Sequence, residues 1–177
     1  MYHKQVNPAA IRSQNLISDA LIRLMRQKHF SRITVTEICR EADIGRKTFY
    51  RHFELKEDVI DFQLDLLYEE YSAEICHKEP ECCLHYHFSF LKRNMEYLSL
   101  LHRNDLLPAL TAKFSCLLPQ FMPVWSEDPI EQTYRSAFIA AGIDAILVVW
   151  AENGFQQSVD EVVEIAKRAH GKPIPLT

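Results

Sequence analysis

Residues 40–58 read READIGRKTFYRHFELKED. Five lysines and arginines and His52 crowd around three rings, Phe49, Tyr50 and Phe53, within nineteen residues. A folded core has little use for so many charges, and a solvated loop has little use for so many rings. Guanidinium and ammonium groups at this density neutralise phosphates, and some of them can hydrogen-bond base edges. The chemistry implied is recognition of a nucleic acid rather than the making or breaking of bonds. Phe49 and Phe53 stand four apart and share one face of a helix, which leaves Arg46, Lys47, Thr48, Arg51 and part of Tyr50 facing outward. Arg46, Lys47 and Thr48, close to the start of that helix, are placed to reach base edges in a major groove.

Such a helix needs a frame, and the preceding residues supply one. Asn7-Pro8 is an N-cap followed by proline at the first helical position. Ile17, Ala20, Leu21, Leu24 and Met25 then recur at i, i+3, i+4, i+7 and i+8, one apolar face of a first helix. Thr34-Val35-Thr36-Glu37 carries the capping-box pattern and opens a second, short helix to about residue 42. Asp43-Ile44-Gly45 is a tight turn, because Asp tolerates the left-handed conformation and Gly45 can cap the next helix. The third helix spans about 46–53. Two short helices joined by a three-residue turn, the second apolar behind and basic in front, form a helix-turn-helix. The rings anchor it to a core while the charges face the ligand.

Charge supports the assignment. Residues 1–56 hold eleven Lys/Arg and five acids, a net of +6, so the other 121 residues of a chain with net charge −4 carry −10. A basic head on an acidic body points to a head that meets a polyanion. The five cysteines show no C-x-x-C spacing, and the start MYHKQVNPAA lacks an apolar targeting segment. The longest nearly apolar run, AFIAAGIDAILVVWA, is broken by Asp144 and falls short of the ~20 residues of a membrane span. A cytoplasmic protein with reduced thiols and no membrane association is therefore expected.

The stretch TVTEICREADIGRKTFYRHFELKEDVI, residues 34–60, resembles the DNA-binding signature of the TetR/AcrR family of bacterial transcriptional regulators. Thr34, Ile38, Ala42, Ile44, Thr48, Phe49, Tyr50, His52, Phe53, Lys56 and Glu57 fall on the family pattern. Two positions depart from it, Asp43 where Gly is usual and Gly45 where Ser or Thr usually caps the third helix. The resemblance implies that Thr36 contacts phosphate and that Tyr50, His52 and Lys56 brace the DNA backbone. It also implies that Lys56 opens a fourth helix whose free N–H groups meet a phosphate, and that Arg46, Lys47, Thr48 and Arg51 read the groove. The expected partner is double-stranded operator DNA, bound by a homodimer that represses until a ligand shifts its geometry.

The body, 56–177, follows a head assigned to 1–55. Its apolar spacing and prolines predict helices over 56–76, 81–104, 107–121, 129–153 and 158–170, so the fold class is all-α, a helix-turn-helix domain plus a helical bundle for ligand binding and dimerisation. The run YRSAFIAAGIDAILVVWAENG followed by SVDEVVEIAKRAH resembles the end of a TetR subfamily common in Firmicutes. Ala141, Gly142, Ile146, Trp150 and Val162 are the candidates for a two-fold interface, with intrachain core as the alternative. Phe88, Leu91, Phe114, Phe121, Trp125, Tyr134 and Phe138 are candidates to line an effector pocket, with plain core again the alternative. The Cys- and His-rich stretch CHKEPECCLHYH, residues 76–87, offers only Cys83 and His87 at the i, i+4 spacing of helical metal pairs, so no metal and no cofactor are expected. No Gly-rich phosphate loop, G-x-S-x-G or H-E-x-x-H occurs, and nothing specific supports an enzyme. Two rival functions stay open: an activator or adaptor working through a protein partner, and a helical ligand-binding protein that does not bind DNA.

Overall fold

A computed structural model describes residues 7–75, 80–115 and 126–170, which form helices and turns with no strand among them. The chain divides into two compact units, Met1–Glu69 and Glu70–Thr177.

In the first unit α1 (Pro8–Gln27) starts as expected, with the Asn7 side chain accepting from Ala9 N–H at 3.0 Å. Its Ile17, Ala20, Leu21, Leu24 and Met25 are buried. A short 3-10 turn, Phe30–Arg32, separates α1 from the next helix. The capping box then forms around α2 (Val35–Glu41): Glu37 N–H donates to Thr34 Oγ1, while the Glu37 carboxylate accepts from Thr34 N–H at 3.0 Å. α2 ends in a Schellman motif, with Ile44 N–H donating to Cys39 O at 3.0 Å and Asp43 N–H to Arg40 O at 3.3 Å. Asp43 takes φ 52° at the left-handed position, where Gly would be less strained. α3 (Arg46–His52) follows at once, and α1, α2 and α3 pack on one another with Phe49 and Phe53 in the core. α4 (Glu57–Ile75) begins in this unit, and the division falls within it.

The second unit holds α5 (Pro80–Arg93), α6 (Met95–Arg103), α7 (Leu107–Ser115), α8 (Pro129–Glu152) and α9 (Val159–His170). The single helix expected over 81–104 is broken at Asn94. Its Nδ2 donates to Phe90 O at 3.0 Å, a side-chain bond that competes with the helical ladder and lets the chain turn. α6 and α8 end as α2 does. Leu106 N–H donates to Leu101 O at 2.9 Å beyond Asp105 (φ 59°), and Phe155 N–H donates to Trp150 O at 2.8 Å beyond Gly154 (φ 64°). The Phe155 ring then lies 5.2 Å from Trp150, the apolar contact that commonly accompanies this cap. Ser158 and Glu161, three residues apart in SVDEVV as a capping box requires, make that box for α9.

α8 is apolar on two opposite sides. Ala140, Ile143, Leu147, Trp150 and Ala151 are buried in their own chain. Ile130, Tyr134, Phe138, Ala141, Ala145 and Val149 fall within an arc of about 100° on the other side and are exposed. By length and composition alone the helix is apolar enough to cross a membrane, which the 15-residue run had not suggested, yet only 33% of that window is buried in the fold.

Candidate nucleic-acid interface

The helix-turn-helix places most of its proposed contacts outward. Thr36, Arg46, Lys47, Tyr50 and Arg51 are exposed and Thr48 is half-buried. Neutralisation within the unit sharpens the positive face. Arg23 Nε meets Glu41 at 2.6 Å, and Lys28 Nζ meets Glu37 at 2.6 Å. Lys28, together with the Thr34 backbone and hydroxyl, holds the Glu37 carboxyl down at about 2, so it stays ionised and paired. Lys47 and Arg51 make no ion pair among the described residues. Arg46 leans on its own helix: its guanidinium carbon lies 5.8 Å from the Tyr50 ring centroid, and Nη2 donates to Tyr50 Oη at 3.4 Å.

Two residues expected at the DNA backbone sit elsewhere. Lys56 turns inward, and its Nζ donates to Phe30 O at 2.8 Å, Ile33 O at 2.9 Å and Ser31 O at 3.4 Å. It also lies 4.4 Å from the Phe30 ring centroid. The ammonium caps the end of the 3-10 turn instead of reaching for a phosphate. The first N–H groups before α4 are taken as well, because Asp58 Oδ2 accepts from Glu54 N–H at 2.8 Å and Leu55 N–H at 3.0 Å. His52 is 2% exposed, and neither ring nitrogen has a hydrogen-bond partner. Burial, with Arg51 adding to it, pushes its pKa down and favours the neutral ring. Sequence reasoning missed both arrangements, since nothing in the spacing tells a lysine that reaches out from one that folds back.

The candidates in the second unit do not gather at one place. Phe88, Leu91 and Phe114 are buried, whereas Tyr134 is 74% and Phe138 62% exposed on α8, so these five do not line one cavity. Phe121 and Trp125 lie outside the described residues. A groove of about 590 Å³ runs along α8 past Gln132, Thr133, Ser136, Ala137 and Asp144. Of the interface candidates, Ala141 and Gly142 are exposed and Ile146 half-buried, but Trp150 and Val162 are each 2% exposed within their own chain. Trp150 packs on Phe88 and Phe155, and its Nε1–H donates to Gln157 O, so it belongs to the core.

The Cys/His stretch resolves in part. Cys76 and His77 lie outside the described residues. Cys83 is half-buried and His87 is buried. His87 Nδ1 lies 3.1 Å from Tyr71 Oη inside a cluster with Phe88, Phe90 and Phe114. Burial pushes its pKa down to about 4. The unfolded chain binds a proton near pH 6.5 and the folded one does not, so His87 favours folding above that pH. Its contribution is lost as pH falls from about 6.5 towards 4. Urea unfolding at pH 7 and pH 5 should therefore show about 2 kcal/mol less stability at pH 5 from this group. In His87→Gln the pH 7 to pH 5 loss should shrink by about that amount, and an unchanged loss would place the titration elsewhere.

Comparison with known proteins agrees with this geometry. Residues 17–61 match the family model for bacterial regulatory proteins, tetR family, a span that takes in the second half of α1, α2, α3 and the start of α4. No curated protein matches the chain significantly in sequence. Among solved structures, the fatty acid degradation regulator FadR from Bacillus halodurans superposes with a TM-score of 0.68 at 15% identity, over 97% of this chain and 99% of its own. A TetR transcriptional regulator from Streptococcus agalactiae 2603V gives 0.67 at 20% identity, over 93% and 96%. The dihydroxyacetone kinase operon activator DhaS gives 0.59 at 19%, over 90% and 94%. These likenesses extend the shared all-α fold along nearly the whole chain. With the basic face of α3 and the match of residues 17–61 to the DNA-binding model of that family, they support a DNA-binding transcriptional regulator.

Proposed function

We propose that the protein is a cytoplasmic, ligand-responsive repressor, not an enzyme, that binds a palindromic operator as a homodimer. Each α3 enters a major groove, with Arg46, Lys47 and Thr48 at base edges and Thr36, Tyr50 and Arg51 on or near the phosphates. Half-site centres then lie about 34 Å apart, or a multiple of that. The observation that carries the dimer is the second apolar face of α8. Ile130, Tyr134, Phe138 and Val149 are all more than half exposed in the single chain, a patch of the kind that marks an interface. A second copy of α8 covers it by two-fold symmetry, self-complementary as such interfaces must be. This replaces Trp150 and Val162 by Tyr134, Phe138 and Val149 as the interface side chains and keeps Ala141 and Gly142.

Gly142 gives the reading a sharp test. A Cβ there would meet nothing within 4 Å, so the fold of one chain does not require glycine, although glycine inside a helix costs about 1 kcal/mol relative to alanine. A closely approaching partner helix does require a small residue. Gly142→Ala should raise the stability of the isolated subunit, and Gly142→Leu should leave it folded but shift sedimentation from dimer to monomer and abolish operator binding. A parent protein that sediments as a monomer at micromolar concentration contradicts the proposal.

One observation favours a second reading. A protein of similar fold carries the description operon activator. Transcription of the adjacent operon in a deletion strain separates the two: it rises if the protein represses and falls if it activates.

A further inference from the structure

We infer that Tyr50 is a positioning residue for Arg46, a platform that holds the guanidinium in place to read a guanine edge. The inference rests on α3 being the groove-reading helix. Three contacts carry it. The Arg46 guanidinium carbon lies 5.8 Å from the Tyr50 ring centroid, and Nη2 donates to Tyr50 Oη at 3.4 Å. The ring itself is held from behind, because it meets Phe49 edge-on, with centroids 5.5 Å apart and planes at 84°. Phe49 is fully buried in the core of the DNA-binding unit. A chain of three side chains therefore runs from rigid core to solvent-facing charge.

The consequence follows from the chemistry of arginine. A free Arg on a helix surface samples many rotamers, and a base contact must immobilise it at the moment of binding. Seated against a ring one helical turn away, it is ordered beforehand. The hydrogen bond to Tyr50 uses one of five N–H donors, so the remaining four are available to the paired O6 and N7 acceptors of guanine. Tyr50 thus contributes to base selection without needing to touch a base. Lys47, beside Arg46 in sequence but with no such support among the described residues, acts as an independent reference.

A double-mutant cycle tests this. Dissociation constants would be measured by fluorescence anisotropy on an operator selected from random duplexes and on its single-base-pair variants, with helicity and melting checked for every protein. Tyr50→Ala should weaken operator binding about fivefold in the parent but less than about twofold in an Arg46→Ala background. It should erase preference for the same guanine that Arg46→Ala erases. Tyr50→Phe keeps the ring face and should retain that preference. Additive losses, or a Tyr50→Ala loss equal on all duplexes, overturn the inference and leave Tyr50 a phosphate contact. If Arg46→Ala binds like the parent while Lys47→Ala shifts base preference, the inference fails and the groove reading survives. If none of these variants changes binding, the groove reading fails with it.

Discussion

Lys56→Met is expected to cost the DNA-binding unit about 3 kcal/mol, because it removes a charged donor from the carbonyls of Phe30, Ser31 and Ile33. With a urea slope near 2 kcal/mol/M, that lowers the unfolding midpoint by about 1.5 M without changing the slope. The variant protein that remains folded should keep the parent's salt dependence of DNA binding, since this ammonium is already occupied at home. Family resemblance alone leads to the opposite expectation, a uniform loss of affinity with a salt slope shallower by about 0.9. A Lys56→Met protein of parental stability with that shallower slope would show that the ammonium leaves the carbonyls for a phosphate.

Trp150→Ala should be larger still, about 3–5 kcal/mol, because it empties a core position on which several elements depend. The indole packs edge-on against Phe88 of α5 and against Phe155 of the α8–α9 turn, and Lys92 Nζ lies 5.4 Å from its centroid while donating to Phe155 O. Phe155 is held at φ 56°, a strained conformation for a non-glycine residue that these contacts sustain. Removing the ring therefore loosens the start of α9 as well as the end of α8. By contrast Phe138→Ser, on the exposed face of α8, should leave subunit stability within about 0.5 kcal/mol and act on self-association instead. Thermal unfolding of both variants over a range of protein concentrations distinguishes the two effects. If Trp150→Ala dissociated the dimer without destabilising the subunit, Trp150 would belong to the interface after all.

These two residues also show where sequence reading works and where it stops. Local chemistry was legible. Asn7-Pro8, the Thr34–Glu37 box, the Asp43 turn and the Ser158–Glu161 box each depend on side chains within four residues of the backbone they serve, and all four form. The period of Ile17, Ala20, Leu21, Leu24 and Met25 likewise fixed the buried side of α1, because one face of that helix is polar. α8 has no polar face to orient it. Its two apolar sides are chemically alike, so periodicity could not say that Trp150 points inward while Phe138 points outward. Lys56 and His52 failed for a related reason. The hydrogen-bond partners of Lys56 lie more than twenty residues away and the His52 ring nitrogens have none, and a charge inside a helix-turn-helix signature reads as a contact until its side chain is placed. Asn94 looked compatible with a long helix because asparagine weakens helices without forbidding them.

The most direct test of the account is a titration of the full-length protein against duplexes from the region upstream of its own gene, at several salt concentrations, with an unrelated duplex of equal length as competitor. The expected result is one tight site, at least about a thousandfold preferred over the unrelated duplex, protected as two half-sites about 34 Å apart and weakened in base preference by Lys47→Ala. Equal affinity for both duplexes, with Lys47→Ala indistinguishable from the parent, would contradict it.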